Sequence, residues 1–500
     1  MADDLAAMTG LHGKERKDVC LLGPGSVALE SAFTHRNLEL VETSVEVALN
    51  QCAGATRAIV VVANPSELAK ILERVLRPAL ENGAAFLAID TDKSGLAQVQ
   101  RMCGPQELSR RLGISSTDAE LLPARAFATT ANWEQAVAQF CAEHDPGRSA
   151  ASGIEFEDIS RERDHTPDPE DESLIRRAFS DCTTVKIEYL PGGQSRAKGP
   201  WVVEAQYPDG RSPVRLVVKT GGIRAISEEI RVMEMMCFNH IPFRHYPPVV
   251  RDRCVTGATK RAIVSMYVEK ATTLEEFILI HPPDAVITDI FDGPLKLWRR
   301  GVGRQAVRLG EFYRTRGVIP DEAWKIKDIW AETCKADVSV LRYNQLYDRF
   351  IAHAPVDVQQ VDAHGDLHLR NIFVHDRTAD VLLIDFSKSS QAPASYDPAT
   401  LDVSLAFDIP EHQAAGAGVS DEERLELYRP PLLAVRPMEN PSHRIAAIFA
   451  LRRKIRDSVS ELEYQLAIAG CLIWQAWRRS NVTAYRCASR ILAGLGSGGA

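Results

Sequence analysis

Between Val361 and Phe386 the chain places two carboxylates and an amide on closely spaced turns. Val361-Asp-Ala-His-Gly-Asp-Leu-His-Leu-Arg-Asn-Ile-Phe-Val374 carries Asp366 and Asn371, and Val381-Leu-Leu-Ile-Asp385-Phe386 ends an apolar run on Asp385. Phosphoryl transfer needs such a set: one carboxylate orients the acceptor hydroxyl and takes its proton, while an amide oxygen and a second carboxylate hold divalent ions on the phosphates. Donor and acceptor must be held in line, which favours rigid adjacent turns. On this reading Asp366 is the general base, and Asn371 and Asp385 are ligands of Mg2+, an ion suited to hard oxygen donors. Any one of the three alone is an ordinary turn cap or strand end. Their combination with Gly365 and with the strand-like pieces Ile372–Val374 and Val381–Ile384 is what points to the chemistry. His364 and His368 are expected to shape the turn by hydrogen bonding.

H-G-D-L-H-x-x-N followed by I-D-F resembles the aminoglycoside phosphotransferase and choline-kinase branch of the protein-kinase-like fold, in which Gly replaces the Arg of the protein-kinase H-R-D motif. Tyr396-Asp-Pro-Ala-Thr-Leu-Asp-Val403 resembles that branch's further D-P-x-x-D-L stretch, with one extra residue between Asp397 and Asp402. The resemblance runs from about Leu174 to the C-terminus. It implies an α+β two-lobed domain that uses ATP and Mg2+, with its N-lobe at 174–280 and a helical C-lobe at 281–500. Lys219, ending Val214-Arg-Leu-Val-Val-Lys219, stands where such a lobe keeps the lysine of the α- and β-phosphates. Glu229 on the following helix is its expected ion-pair partner, with Glu228 and Glu234 as competitors. Met266 to Glu269 is expected at the hinge that meets adenine.

Gly192, Gly193 and Ser195 lie in Leu190-Pro-Gly-Gly-Gln-Ser-Arg-Ala197, between two strands, where a phosphate-covering loop is expected; glycines let backbone amides approach phosphate closely. The segment resembles the L-P-G-G-x-S of kinase-like domains in bacterial ternary-complex conflict systems.

Residues 1–146 show a different texture. Val19–Leu22, Leu38–Val41, Ala58–Val62 and Ala85–Ile89 are short, bounded apolar runs expected to be buried strands. Ser66–Gly83 carries Leu68, Ile71, Leu72, Val75 and Leu76 at helical spacing, and Trp133–Glu143 reads as a last helix. This alternation implies a parallel α/β sheet resembling a flavodoxin-like or response-regulator receiver domain. The places where a receiver keeps its acidic pair and phosphoacceptor read Leu22-Gly23-Pro24 and Ala63-Asn64-Pro65, so no carboxylate is there to bind Mg2+ or take phosphate. Asp90 and Asp92 close the fourth strand without an evident partner. Residues 147–173, with EFEDISRERDHTPDPEDES, are expected to be an exposed acidic linker that lets the flanking parts move. Removing 1–146 is accordingly expected to leave a soluble domain that still binds ATP.

Composition narrows the alternatives. Lysines and arginines number 59 against 67 acidic residues, a net charge of −8 that disfavours general nucleic-acid binding. Ten cysteines form no C-x-x-C pair, which fits scattered thiols in a reducing compartment. No stretch is long and apolar enough to span a membrane, and a cytoplasmic protein without a membrane partner is expected. Two function classes remain: a phosphotransferase with a protein or small-molecule acceptor, or a pseudokinase scaffold in a bacterial signalling or conflict complex. A scaffold would be expected to lose part of the set Lys219, Asp366, Asn371 and Asp385; all four stand in the sequence.

Overall fold

The computed structural model describes residues 17–23, 27–34, 38–42, 44–45, 58–63, 65–90, 96–128, 148, 153–160, 166–190, 198–319, 331, 340–375, 378–408, 418–434, 438 and 440–495. Two compact units divide the chain: residues 1–230 with 248–267, and residues 231–247 with 268–500.

The first unit contains two sheets. Strands β1 (Lys17–Leu22), β2 (Leu38–Glu42), β3 (Ala58–Ala63), β4 (Ala85–Asp90) and β5 (Ala124–Ala128) form a sheet in the order β2-β1-β3-β4-β5. All its pairings are parallel. Such a sheet needs cover on both faces. Helix α1 (Val27–Thr34) contributes Leu29 and Phe33 to one face, against Val19, Leu21, Val60 and Leu87. The opposite face, with Cys20, Ile59, Val61 and Phe86, packs on Leu68, Leu72, Val75 and Leu76 of α2 (Pro65–Glu81). It is also covered from α3 (Leu96–Met102), α4 (Pro105–Leu112) and α5 (Ser116–Ala119). The expected helix at 133–143 falls outside the described residues, as do Asn64 and Asp92.

The second sheet has the order β10-β11-β9-β8-β7-β6. Its members are β6 (Glu155–Asp158), β7 (Thr184–Tyr189), β8 (Lys198–Gln206), β9 (Val214–Gly222), β10 (Val255–Thr256) and β11 (Lys260–Met266). Trp201, Val203, Leu216, Val218 and Val264 share one core with Leu174 and Ile175 of α6 (Pro169–Ala178) and with Phe179 at its C-terminal cap. Helix α7 (Ile223–Val232) follows β9 directly and runs into a π-helical turn, Met233–Cys237.

Within the stretch expected to be a solvated linker, the described residues include a strand of this sheet. β6 adds to β7 in parallel register, Arg148 is ion-paired to Asp181 and Asp252, and Asp168 caps α6. Asp168, Glu170 and Asp171 have partners far along the chain. Lys260 Nζ lies 2.8 Å from Asp171 and 2.5 Å from Asp168, Thr220 donates to Asp171 at 2.8 Å, and Glu170 accepts from the Thr259 amide at 2.7 Å.

The second unit is mainly helical, with β12 (Ala271–Thr273), α8 (Leu274–Ile280), α9 (Asp284–Asp292), β13 (Gly303–Val307), α10 (Leu309–Thr315) and α11 (Tyr343–Ile351) leading to β14 (Val356–Ala363). After it come β15 (Ile372–His375), β16 (Val381–Leu383), β17 (Ser390–Pro393), α12 (Tyr396–Phe407), α13 (Asp421–Leu427), α14 (His443–Ile455), α15 (Glu461–Arg479) and α16 (Val482–Gly494). Among the described residues no helix is long and apolar enough to cross a membrane. Seven described cysteines are free and buried; burial pushes the thiol of Cys103 up to about 12.

Candidate active site

Two short antiparallel ladders hold the turns of Asp366 and Asp385 opposite each other. β14 pairs with β17 through Ala363 and Ser390, and β15 pairs with β16 through Ile372 and Leu383. The segments 364–371 and 384–389 are therefore clamped at both ends. Across the gap the Ile384 amide donates to the Asn371 carbonyl at 3.0 Å, and His364 Nε2 lies 2.9 Å from the Ile384 carbonyl. Asp366, Asn371 and Asp385, read from the sequence as one set, are thus brought to one place.

The backbone of the first turn is fixed by a buried carboxylate. Asp397 at the start of α12 accepts the amides of His364 at 2.7 Å and Gly365 at 2.9 Å. Ser404 of α12 accepts the Leu369 amide at 3.1 Å. Gly365 sits at φ +82°, and a Cβ there would lie 2.1 Å from the Lys388 carbonyl oxygen. Only a residue without a side chain permits that approach. Phe386 beneath is fully buried against His364 and Trp298, with ring centroids 4.9 and 5.8 Å away.

Asn371 donates its amide Nδ2 to the Asp366 carbonyl at 2.9 Å, which leaves Oδ1, a hard oxygen, as its acceptor. Asp385 takes a positive φ of 59°, uncommon outside glycine and worth its strain where a carboxylate must be aimed. Ser387 Oγ donates to Asp385 Oδ1 at 2.7 Å. An amide oxygen and a carboxylate on facing turns fit the donor chemistry of Mg2+. Lys388 Nζ lies 2.7 Å from Asp366 Oδ2. The sequence marked Asp397 by its motif but not its role as a cradle, and Ser387 and Lys388 were passed over, the visible signal for Lys388 being a cation three residues beyond Asp385. His364 and His368 serve the turn: His368 accepts the Arg370 amide at 3.2 Å, and burial lowers its pKa.

Asp402, which the motif spacing paired with Asp397, does separate work. It is wholly buried, and Arg452 donates to both its oxygens at 2.8 and 3.2 Å. Tyr428 and Tyr464 complete its shell at 2.8 and 2.7 Å. Tyr464 is therefore core.

In the first unit Lys219 on β9 meets Glu229 on α7, with Nζ 3.2 and 3.0 Å from the two carboxylate oxygens. Both are largely sheltered, with side chains 17% and 8% exposed. Gly192, Gly193 and Ser195 lie outside the described residues; the strands on either side of them, β7 and β8, pair through Tyr189 and Trp201.

Residues 272–430 match the model of the phosphotransferase enzyme family. No curated protein matches the sequence. Among solved structures, an aminoglycoside phosphotransferase of Streptomyces rimosus is similar at 17% identity, with 53% of this chain and 92% of that one covered and a TM-score of 0.28. A choline kinase of Streptococcus pneumoniae is 14% identical over 62% and 93% of the two chains, with a TM-score of 0.27. An ethanolamine kinase of Plasmodium vivax is 13% identical over 62% and 82%, with a TM-score of 0.29. The matched segment contains both turns and the Asp397 cradle, and through it the chain is a phosphotransferase of the kinase-like kind.

Proposed function

We propose that the chain transfers the γ-phosphoryl group of ATP, with Mg2+, to a hydroxyl of a protein or small-molecule acceptor. The observation that carries this reading is the placement of Asp366, Asn371 and Asp385 on two facing, clamped turns. Asp366 orients the acceptor hydroxyl and takes its proton as the new O–P bond forms and the bond to the β-phosphate oxygen breaks, releasing ADP. Asn371 and Asp385 would hold Mg2+, which when bound offsets the charge of the phosphate oxygens. Lys219, steadied by Glu229, pairs with the α- and β-phosphates, and the loop with Gly192, Gly193 and Ser195 covers them. Lys388 holds the Asp366 carboxylate in place until the acceptor arrives. The N-terminal α/β domain is receiver-like in this reading, accepts no phosphate, and serves docking or regulation.

Calorimetric titration with ATP tests the metal roles. Wild type should bind ATP with Mg2+ and lose most of that affinity in EDTA, and Asp385→Asn should bind weakly in both conditions. Equal affinity of wild type with Mg2+ and with EDTA would remove both metal assignments.

A further inference from the structure

The N-terminal domain is bonded to the start of the helix that carries Glu229. Asp118, on α5, accepts the backbone amide of Arg224 at 2.7 Å through Oδ1, while its other oxygen accepts from Ser115 at 2.6 Å. Arg224 is the second residue of α7, so its amide is one of the donors that a helix start leaves without an intrahelical acceptor. An aspartate from a different domain thus does what an N-cap side chain does locally, with its negative charge at the positive end of the helix.

The helix start is gripped on its apolar side as well. Ile223, the first residue of α7, is wholly buried in the cluster formed by one face of the parallel sheet and its covering helices, together with Ala258. A second bond runs the opposite way. Arg177 of α6 donates to the carbonyls of Leu80 and Glu81 at the end of α2, at 3.3 and 3.1 Å, and to that of Thr256 at 2.9 Å. Gly83 makes room for it, since a Cβ there would lie 2.6 Å from the guanidinium. Each domain therefore terminates a helix of the other.

From Arg224 to Glu229 is five residues, about 7.5 Å along a helix. A shift of the first turn moves Glu229 with it, and in kinase-like sites the lysine–glutamate pair must be in place for phosphate to be held. We infer that Asp118 is a positioning residue for nucleotide binding: the N-terminal domain seats α7 so that Glu229 reaches Lys219. This inference rests on Lys219 being the phosphate lysine.

The test is MgATP affinity of the full chain in a double-mutant cycle. Asp118→Ala should weaken binding about 2- to 30-fold, the range for losing a helix cap, and Asp118→Asn, which keeps an acceptor oxygen, should restore most of it. In a Glu229→Gln background, Asp118→Ala should add little, because both act on one ion pair. A merely structural role of Asp118 would instead add its full effect in that background, which overturns the inference. Should the alanine variant not fold, Arg224→Pro removes the same bond from the helix side at a first-turn position where proline is tolerated, and the same non-additivity is expected. Lys219→Ala is the control. If it leaves MgATP affinity unchanged, the phosphate role of Lys219 falls; if it weakens binding while Asp118→Ala does not, the positioning role alone falls.

Discussion

Single residues in the second unit show how burial sets chemistry that composition hides. Glu463 on α15 is buried and accepts the Ser395 amide at 3.2 Å. Burial raises its pKa above the ordinary 4.5, against the lowering effect of that hydrogen bond. A raised folded-state pKa means that the native chain holds the proton more tightly than the unfolded one. The associated stability is complete below the unfolded value and is lost as pH climbs through the folded value. Glu463→Gln keeps an acceptor for Ser395 and has no charge to desolvate. Its melting temperature should match wild type near pH 4 and exceed it increasingly toward pH 7; a pH-independent difference would show that burial of the charge is not the cause. Sequence reasoning reached Asp366, Asn371 and Asp385 because their chemistry is written within about twenty consecutive residues. It reached Asp397 by motif alone and not its role as cradle, which depends on amides 33 and 32 residues away, and it did not reach Lys388, whose partner is 22 residues upstream.

At the scale of elements, α12 shows why an aspartate in a motif need not be catalytic. Asp402 and Arg452 tie α12 to α14, with side chains 0% and 3% exposed. Asp402→Ala leaves a buried guanidinium without its counter-charge, a loss of about 3–5 kcal/mol in a urea unfolding experiment. The pair Arg304 and Asp357, with side chains 62% and 63% exposed, should contribute under about 1 kcal/mol by the same measurement. Comparable losses at both pairs would contradict the account. The parallel strands β1 to β4 were legible as apolar runs, whereas β5, Ala-Arg-Ala-Phe-Ala, has too little β-branched or aromatic content to stand out. The acidic tract misled for a related reason. Asp168 and Asp171 look solvated until Lys260 is placed beside them, and it lies 92 and 89 residues away.

The first unit is one compact body in which Ile223, at the start of α7, and Ala258, between β10 and β11, pack into the core of the parallel sheet. A chain beginning at residue 147 would expose Ile223 and Ala258, both fully buried, and would take the Leu80 and Glu81 carbonyls from Arg177. Burying an isoleucine contributes about 1.5–3 kcal/mol, so the truncated chain should melt several degrees below the full one or aggregate on heating. An unchanged melting temperature would show that the two domains are independent, as the sequence first suggested. The central claim, that two clamped turns carry phosphoryl transfer, is tested most directly by label. Wild type and Asp366→Ala are incubated with γ-labelled ATP and Mg2+, at matched nucleotide occupancy, against cell-extract proteins and a panel of small hydroxylated acceptors. The account predicts transfer by wild type and a loss of about 10²–10⁴-fold in the variant with nucleotide affinity retained; transfer by a folded Asp366→Ala protein at the wild-type rate would contradict it.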